Sequence, residues 1–307
     1  MRAARPFFLL STLTVVASSM VACGSCGSKP SGTSSDASGP MTAEDVPPAN
    51  ALVLPAASIA KAVNPENLPA YAGPTGAVEG TITIVGDAAP ETPADFSKCP
   101  DAEKIYGHAF RDGPPIATNA GPKSARALAD VVIGVTGYKG FIPEKSEVKT
   151  LEIKGCAFEA RTVTMTFGQR LEVKNVTKDF WTPKLHSANK QVMMMASPGG
   201  DPVKLYPTSP GHHLVFDHDR QWAIVDVYTM LYPLHAVTDV AGHYRIDGLP
   251  VGKLKVSARH PRIESEAAAD LDVHEGVVHK VDLRLELHEA DGGTKSYDAG
   301  KYYPPLR

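Results

Sequence analysis

Residues 210–222, PGHHLVFDHDRQW, set three histidines, two aspartates and an arginine around the apolar Leu214-Val215-Phe216. Imidazole and carboxylate are ligand types for copper(II) or zinc. Asp217 and His218, with His186 and either His212 or His213, are therefore candidates for a metal site, for the remnant of one, or for the polar end of a strand. Met193-Met194-Met195 adds thioethers, which suit copper(I) but also fill irregular gaps in cores. Two features favour a salt-bridged strand end. Neighbours on a strand point to opposite faces, so His212 and His213 diverge, and Arg220 brings a cation that can pair with Asp217. No GxSxG, HExxH or glycine-rich phosphate loop occurs, so the sequence nominates no catalytic residue and implies no enzyme. No CxxCH occurs, and no two cysteine pairs have zinc-finger spacing, which sets aside haem attachment and zinc fingers. Asp270, Asp272, His274 and His279 have turn-like spacing and are expected to face water.

The elements that must carry these residues read as β almost throughout. GAVEGTITIVG (76–86) and ADVVIGVTG (129–137) are strands bounded by glycine. RTVTMTFGQRLEVKNVT (161–177) alternates on both sides of Gly168-Gln169, as a hairpin with one buried face does. WAIVDVYTML, GHYRIDGL, GKLKVSARH and VVHKVDLRLEL continue the pattern, and only AEKIYGHAF and IESEAAADL suggest short helical turns. Many short strands between Gly, Pro and Asp turns predict an all-β fold of sandwich or barrel type.

At the N-terminus, Arg2 and Arg5 precede an apolar run, FFLLSTLTVVASSMVAC, too short for a comfortable membrane span and built like a cleavable secretory signal over 1–22. MVAC (20–23) resembles the lipobox of bacterial lipoproteins. That resemblance implies lipidation of Cys23, a mature chain anchored by lipid, and, with Gly24 next, sorting to the outer membrane facing the periplasm or cell surface. Residues 23–72 read as a disordered tether rich in Gly, Ser and Pro, and 291–307 as a polar tail whose Tyr302 and Tyr303 could dock on a partner. The chain's net charge is −3, and losing the two positive charges of Arg2 and Arg5 takes it to −5. With no basic cluster, nucleic acid is excluded as a partner. Of the chain's four cysteines, Cys23 is assigned to lipid and Cys26 lies in the tether, so Cys99 and Cys156 are expected to form a disulfide in an oxidising compartment.

AVTDVAGHYRIDGLPVGKLKVSARHP (236–261) resembles the carboxypeptidase regulatory-like domain, a transthyretin-like sandwich of the carbohydrate-binding-like class. It carries the family's Thr-Asp turn, its Tyr244-x-Ile246 strand and its Pro250-x-Gly252 turn. Upstream, GCAFEARTVTMTFGQRLEVKNVTKDFWTPKLHS (155–187) resembles the first half of cupredoxin domains in periplasmic proteins of the methylamine-utilisation type. The resemblance implies a cupredoxin-like Greek-key sandwich over 146–234, preceded by an N-terminal β segment (73–145) and followed by the regulatory-like sandwich (235–290). His186 matches the first copper ligand. Counting back from Ala236, Trp222 falls on the tryptophan of the family's Cys-x-x-His-x-Trp-Met loop. Asp217 then replaces the thiolate, Arg220 the imidazole and Ala223 the thioether, so a type 1 copper centre, which needs all of these, is lost. No cofactor or metal is therefore expected. The implied function is that of a non-enzymatic envelope module binding a protein or a glycan. The alternatives are a copper-handling or electron-transfer protein with an altered site, and a glycan binder, for which Trp181, Trp222, Tyr228 and Tyr232 are the candidate aromatics.

Overall fold

The computed structural model describes residues 54–116, 125–187 and 190–287. The stretches read as signal and tail, with Cys23, Cys26, Tyr302 and Tyr303, lie outside the described residues. The chain first forms α1 (Ala56–Val63), β1 (Thr75–Val85), α2 (Pro100–Tyr106), β2 (Asp112–Pro115), β3 (Arg126–Leu128) and β4 (Val132–Thr136). It continues through β5 (Val148–Lys154), β6 (Ala157–Phe158), β7 (Thr162–Thr166), β8 (Arg170–Asn175), β9 (Pro183–Ser187), β10 (Lys190–Met193), β11 (Val203–Leu205), β12 (Gly211–Asp217) and β13 (Ile224–Met230). The last segment gives β14 (His235–Val237), β15 (His243–Pro250), β16 (Gly252–Arg259), β17 (Glu266–Val273), β18 (Val278–Lys280) and β19 (Leu283–Glu286). The fold is all-β, and no helix among the described residues is long and apolar enough to cross a membrane.

The middle segment closes on itself. One sheet runs β10-β9-β12-β13-β7 and the other β11-β8-β5-β6, and their period-two apolar residues meet in one core. Leu151, Ile153, Met165, Leu171, Val173, Trp181, Val215, Val225 and Val227 belong to it. Phe96, Ala102 and Tyr106, from and just before α2, complete that core from outside the segment. Cys99 and Cys156 are disulfide-bonded with Cα atoms 5.7 Å apart, tying the start of α2 to the β5–β6 turn.

A second sandwich draws its strands from both sides of the first. One sheet has the order β15-β1-β3-β2, with β18 and β19 paired parallel to β1; the other is β14-β4-β16-β17. Val78, Ile82, Ile84, Leu128, Ile133 and Val135 thus share a core with Tyr244, Ile246, Val256 and Leu285. Strand β1 sits so tightly among its neighbours that a Cβ added at Gly80 would stand 1.9 Å from the Val281 carbonyl oxygen. At the Asp239–Gly242 turn the aspartate Oδ1 accepts the N–H groups of Ala241 and His243 at 2.8 and 2.9 Å, while Gly242 takes φ +76°. Only glycine adopts that conformation freely.

Three local expectations need correction. Residues 161–177 are not a hairpin: β7 pairs with β13 in one sheet and β8 with β5 and β11 in the other, so the turn at Gly168-Gln169 carries the chain across the core, and β7 is buried on both faces. IESEAAADL is not helical, because Ala267, Ala269, Leu271 and Val273 alternate inward along β17, which pairs with β16 over its whole length. Within the stretch read as tether, residues 56–63 form α1, and Tyr71 donates its N–H to the Phe141 carbonyl at 2.7 Å.

Candidate functional site

Strand β12 ends at Asp217, and the chain turns through 218–222 into β13. The Asp217 side chain is fully buried and organises that turn. Its Oδ1 accepts the N–H groups of Asp219 (3.1 Å) and Arg220 (2.9 Å), and Oδ2 accepts that of Thr182 (2.7 Å) from the neighbouring strand. Arg220 Nη1 adds a further bond to Oδ1 at 3.3 Å and reaches the Phe180 carbonyl at 3.4 Å. The guanidinium lies over the Trp181 ring with its carbon 4.1 Å from the centroid, a cation–π contact that strengthens as water is excluded. Ala223, at the foot of the turn, is completely buried. Asn175 holds the loop that delivers Trp181: its Nδ2 donates to the carbonyls of Asp179 and Ala196, each at 2.8 Å.

His186 does not belong to this cluster. Asp217 pairs with Pro183, whereas His186 pairs with Leu214. Three residues of strand separate the two, roughly 10 Å at the usual rise, and the odd offset puts His186 on the opposite face of the sheet. The aromatic that meets Arg220 is Trp181 instead. No residue type in the sequence marked Trp181 for that place; a search for ligands looks for an imidazole, and β9 offers His186.

The other candidates separate too. His213 is buried with Nε2 2.8 Å from the Ser209 carbonyl, and desolvation lowers its pKa. His212 faces the other side, stacked on Tyr228 with centroids 4.7 Å apart and Nε2 2.8 Å from Asp226 Oδ1. Met194 packs against the core while Met193 and Met195 are exposed. Asp270, Asp272 and His274 face solvent. Trp181 is buried and Trp222 packs against Phe96 and Tyr106 with centroids 5.4 and 5.5 Å away, so the candidate aromatics do not form an exposed row.

A buried polar network between the two sandwiches escaped the sequence reading. Asp226 takes the guanidinium of Arg262 at 3.1 and 3.3 Å, and the nearby Arg262 and His212 hold its carboxyl below the usual range despite burial. Arg161 donates to the carbonyls of Ile105, His108 and Ala109. His235 sits between Thr164 Oγ1 and Thr166 Oγ1 at 3.0 and 3.3 Å, and burial pushes its pKa down to about 4. His260 accepts the Arg262 N–H at 3.0 Å, and burial takes it to about 3. Asp226 and His212 stand on the outward side of their strands, where charged residues ordinarily signal solvent.

A cleft of about 540 Å³ on the second sandwich is lined by Glu79, Thr81, Asp239, His243, Arg245 and Lys280. Its charges are largely paired, Arg245 with Glu79 (2.7 Å) and Asp247 (2.8 Å), Lys280 with Asp282 (3.4 Å). Among the described residues no three His, Cys, Asp or Glu side chains converge as a metal site. The 217–223 turn does not fit a copper ion: its carboxylate is saturated by N–H donors, and a guanidinium and an indole fill the remaining space.

No protein-family model matches the chain, and no curated protein matches it. Among solved structures it is similar to a copper(I) methionine-to-alanine variant of amicyanin (11% identity, 28% of this chain and 85% of that one, TM-score 0.25). A reduced tryptophan-to-tyrosine variant of amicyanin gives 10% identity, the same coverage and a TM-score of 0.26. A purple cupredoxin from Nitrosopumilus maritimus gives 10% identity over 26% of this chain and 97% of that one, with a TM-score of 0.23.

Proposed function

We propose that the chain is a non-enzymatic lipoprotein of the bacterial outer membrane, binding a protein or glycan partner. In this reading its first sandwich is a cupredoxin-like module that has exchanged a metal centre for a salt-bridged plug, and its second is a regulatory-like module. The observation that carries the reading is the Asp217–Arg220–Trp181 stack. It fills the end of the sandwich with groups that hold each other, and it leaves neither a thiolate nor an imidazole to ligate copper.

The test is spectroscopic. The protein refolded with copper(II) should contain no stoichiometric copper and show no intense thiolate-to-copper absorption. Asp217→Cys, Arg220→His and Ala223→Met together should remain colourless, because His186 is on the far face. Adding Trp181→His places an imidazole opposite the restored loop and should produce colour, provided the variant keeps its β circular dichroism. Blue or green colour in the unmodified protein would falsify the plug. Colour in the triple variant would show that His186 reaches the loop after all. Anchoring is tested separately: Cys23→Ser should move the protein from the membrane to the soluble fraction, and a detergent-solubilised envelope pull-down should then identify what the anchored form holds.

A further inference from the structure

We propose that the open edge of β17 binds an extended peptide in which basic and apolar residues alternate, adding it to the β14-β4-β16-β17 sheet as a further strand. β17 pairs with β16 along all eight of its residues, from Glu266 opposite Arg259 to Val273 opposite Gly252, without a register shift. It ends its sheet, so on the far side every second residue turns its N–H and C=O away from any strand partner. Such an edge is a template for another chain. Elsewhere in the molecule edges are short or blunted. β11 and β14 have three residues each. β2, at the end of the other sheet of the second sandwich, reads Asp-Gly-Pro-Pro and pairs with a register shift. β17 is long, regular and free of proline.

The side chains of β17 define what the added strand must carry. Glu266, Ala268, Asp270 and Asp272 face solvent, whereas Ala267 and Ala269 lie half-buried against the core. On the paired side, β16 sets Arg259, Lys255 and Lys253 opposite Glu266, Asp270 and Asp272, and buries Leu254, Val256 and Ala258. Arg259 reaches Glu266 at 3.3 Å, but among the described residues neither Asp270 nor Asp272 makes an ion pair. A second strand with the alternation of β16 would meet these carboxylates on its outer side. On its inner side its apolar residues would cover the two alanines, and opposite charges across strands are favourable. A second copy of the chain does not fit. Antiparallel pairing of β17 with itself, as a two-fold dimer requires, must keep inward residues inward. Registers that do so over most of the strand set Asp270 against itself or Asp272, or Glu266 against Asp270 or Asp272. Like charges directly opposed are destabilising. Such binding rests on the proposed function only in taking the chain as a partner-binding module. It involves neither Asp217 nor the lipid anchor, so a negative result at β17 leaves the copper and anchoring tests to decide that function.

The probe is a capped peptide with the sequence of β16, GKLKVSAR, titrated into the full chain carrying Cys23→Ser and labelled with nitrogen-15. The amide signals of 266–273 should shift, and alternate N–H groups of β17 should become protected from hydrogen exchange. Asp270→Asn with Asp272→Asn should weaken binding by about fivefold, and a peptide with Glu in place of its Lys and Arg should not bind. Only one edge of the peptide faces β17, so N-methylation of one alternate set of its amides should abolish binding and methylation of the other set should spare it. The proposal is overturned if the 266–273 signals stay in place, or if the asparagine variant or the Glu peptide binds as tightly. It is equally overturned if neither methylated peptide loses affinity, since charge attraction alone would then explain the binding. Broadening of the 266–273 signals with protein concentration, without peptide, would assign the edge to a second copy and overturn it too.

Discussion

The Asp217 carboxylate is surrounded by donors from two segments, the N–H groups of Thr182, Asp219 and Arg220 and the Arg220 guanidinium. This makes the pair asymmetric. Asp217→Ala strands three backbone donors and a partly buried cation, and should destabilise the fold by about 3–5 kcal/mol, as breaking a buried charged pair does. Arg220→Ala leaves the carboxylate with its three backbone donors and should cost clearly less; urea unfolding of both variants checks the order. Protonation gives a second expectation at this scale. Folded His235 stays neutral down to about pH 4, while the unfolded chain takes up the proton near 6.5. Its stabilisation is therefore full above pH 6.5 and declines as the pH falls toward 4, with a slope approaching roughly 1.4 kcal/mol per pH unit. His260, held neutral to about pH 3, adds a slope of the same sign. Urea midpoints measured between pH 7 and 4 should fall accordingly, and His235→Gln should flatten its share of the decline.

Among elements, α2 is the one joined to its surroundings by covalent bond. It adds Ala102 and Tyr106 to a core built otherwise by strands, and Cys99 at its start is bonded to Cys156. Peptide mapping without reductant should recover the two cysteines in one fragment pair, and Cys99→Ser should lower stability by about 2–4 kcal/mol. Strands were legible in the sequence wherever one face is buried, because burial on one side imprints a two-residue period, as in Arg170–Asn175; that β7, buried on both faces, crosses to the other sheet was not legible. The Asp217–Arg220 pair was legible as well, since three residues across a turn bring opposite charges together. Trp181 was not, because its approach to Arg220 depends on the register between β9 and β12. Residue types do not reveal that register. Asp226, and the pairing of His212 with it, were missed because the outer face of a sheet carries the same polar residues whether it meets water or another sandwich. Residues 266–273 misled for the opposite reason: alanine fits a helix well, and only the inward sequence Ala267, Ala269, Leu271, Val273 betrays a strand.

For the whole molecule, connectivity decides what can exist alone. The second sandwich takes β1–β4 from before the first sandwich and β14–β19 from after it. A fragment of 235–290 lacks β1 and β4, the strands against which β15, β16, β18 and β19 pair, and should not show cooperative unfolding by circular dichroism. A fragment of 146–234 loses Phe96, Ala102 and Tyr106 and should be loosely packed, whereas 88–234 restores them and should unfold cooperatively. A well-folded 235–290 fragment would disprove this interdependence.

The tight seating of Gly80 beside Val281 has a consequence in time. Strand β1 is synthesised about two hundred residues before β18 and β19, and its Thr81 N–H ends on Asp282, 201 positions along the chain. Contacts so distant in sequence form late and slowly. Until they form, β1 is an apolar strand with open edges, of the kind that seeds aggregation. The first sandwich can close earlier from its own strands, so assembly should proceed from the middle of the chain outward. The yield of folded protein should therefore respond to the supply of factors that hold the unfolded chain more than to the stability of the finished fold.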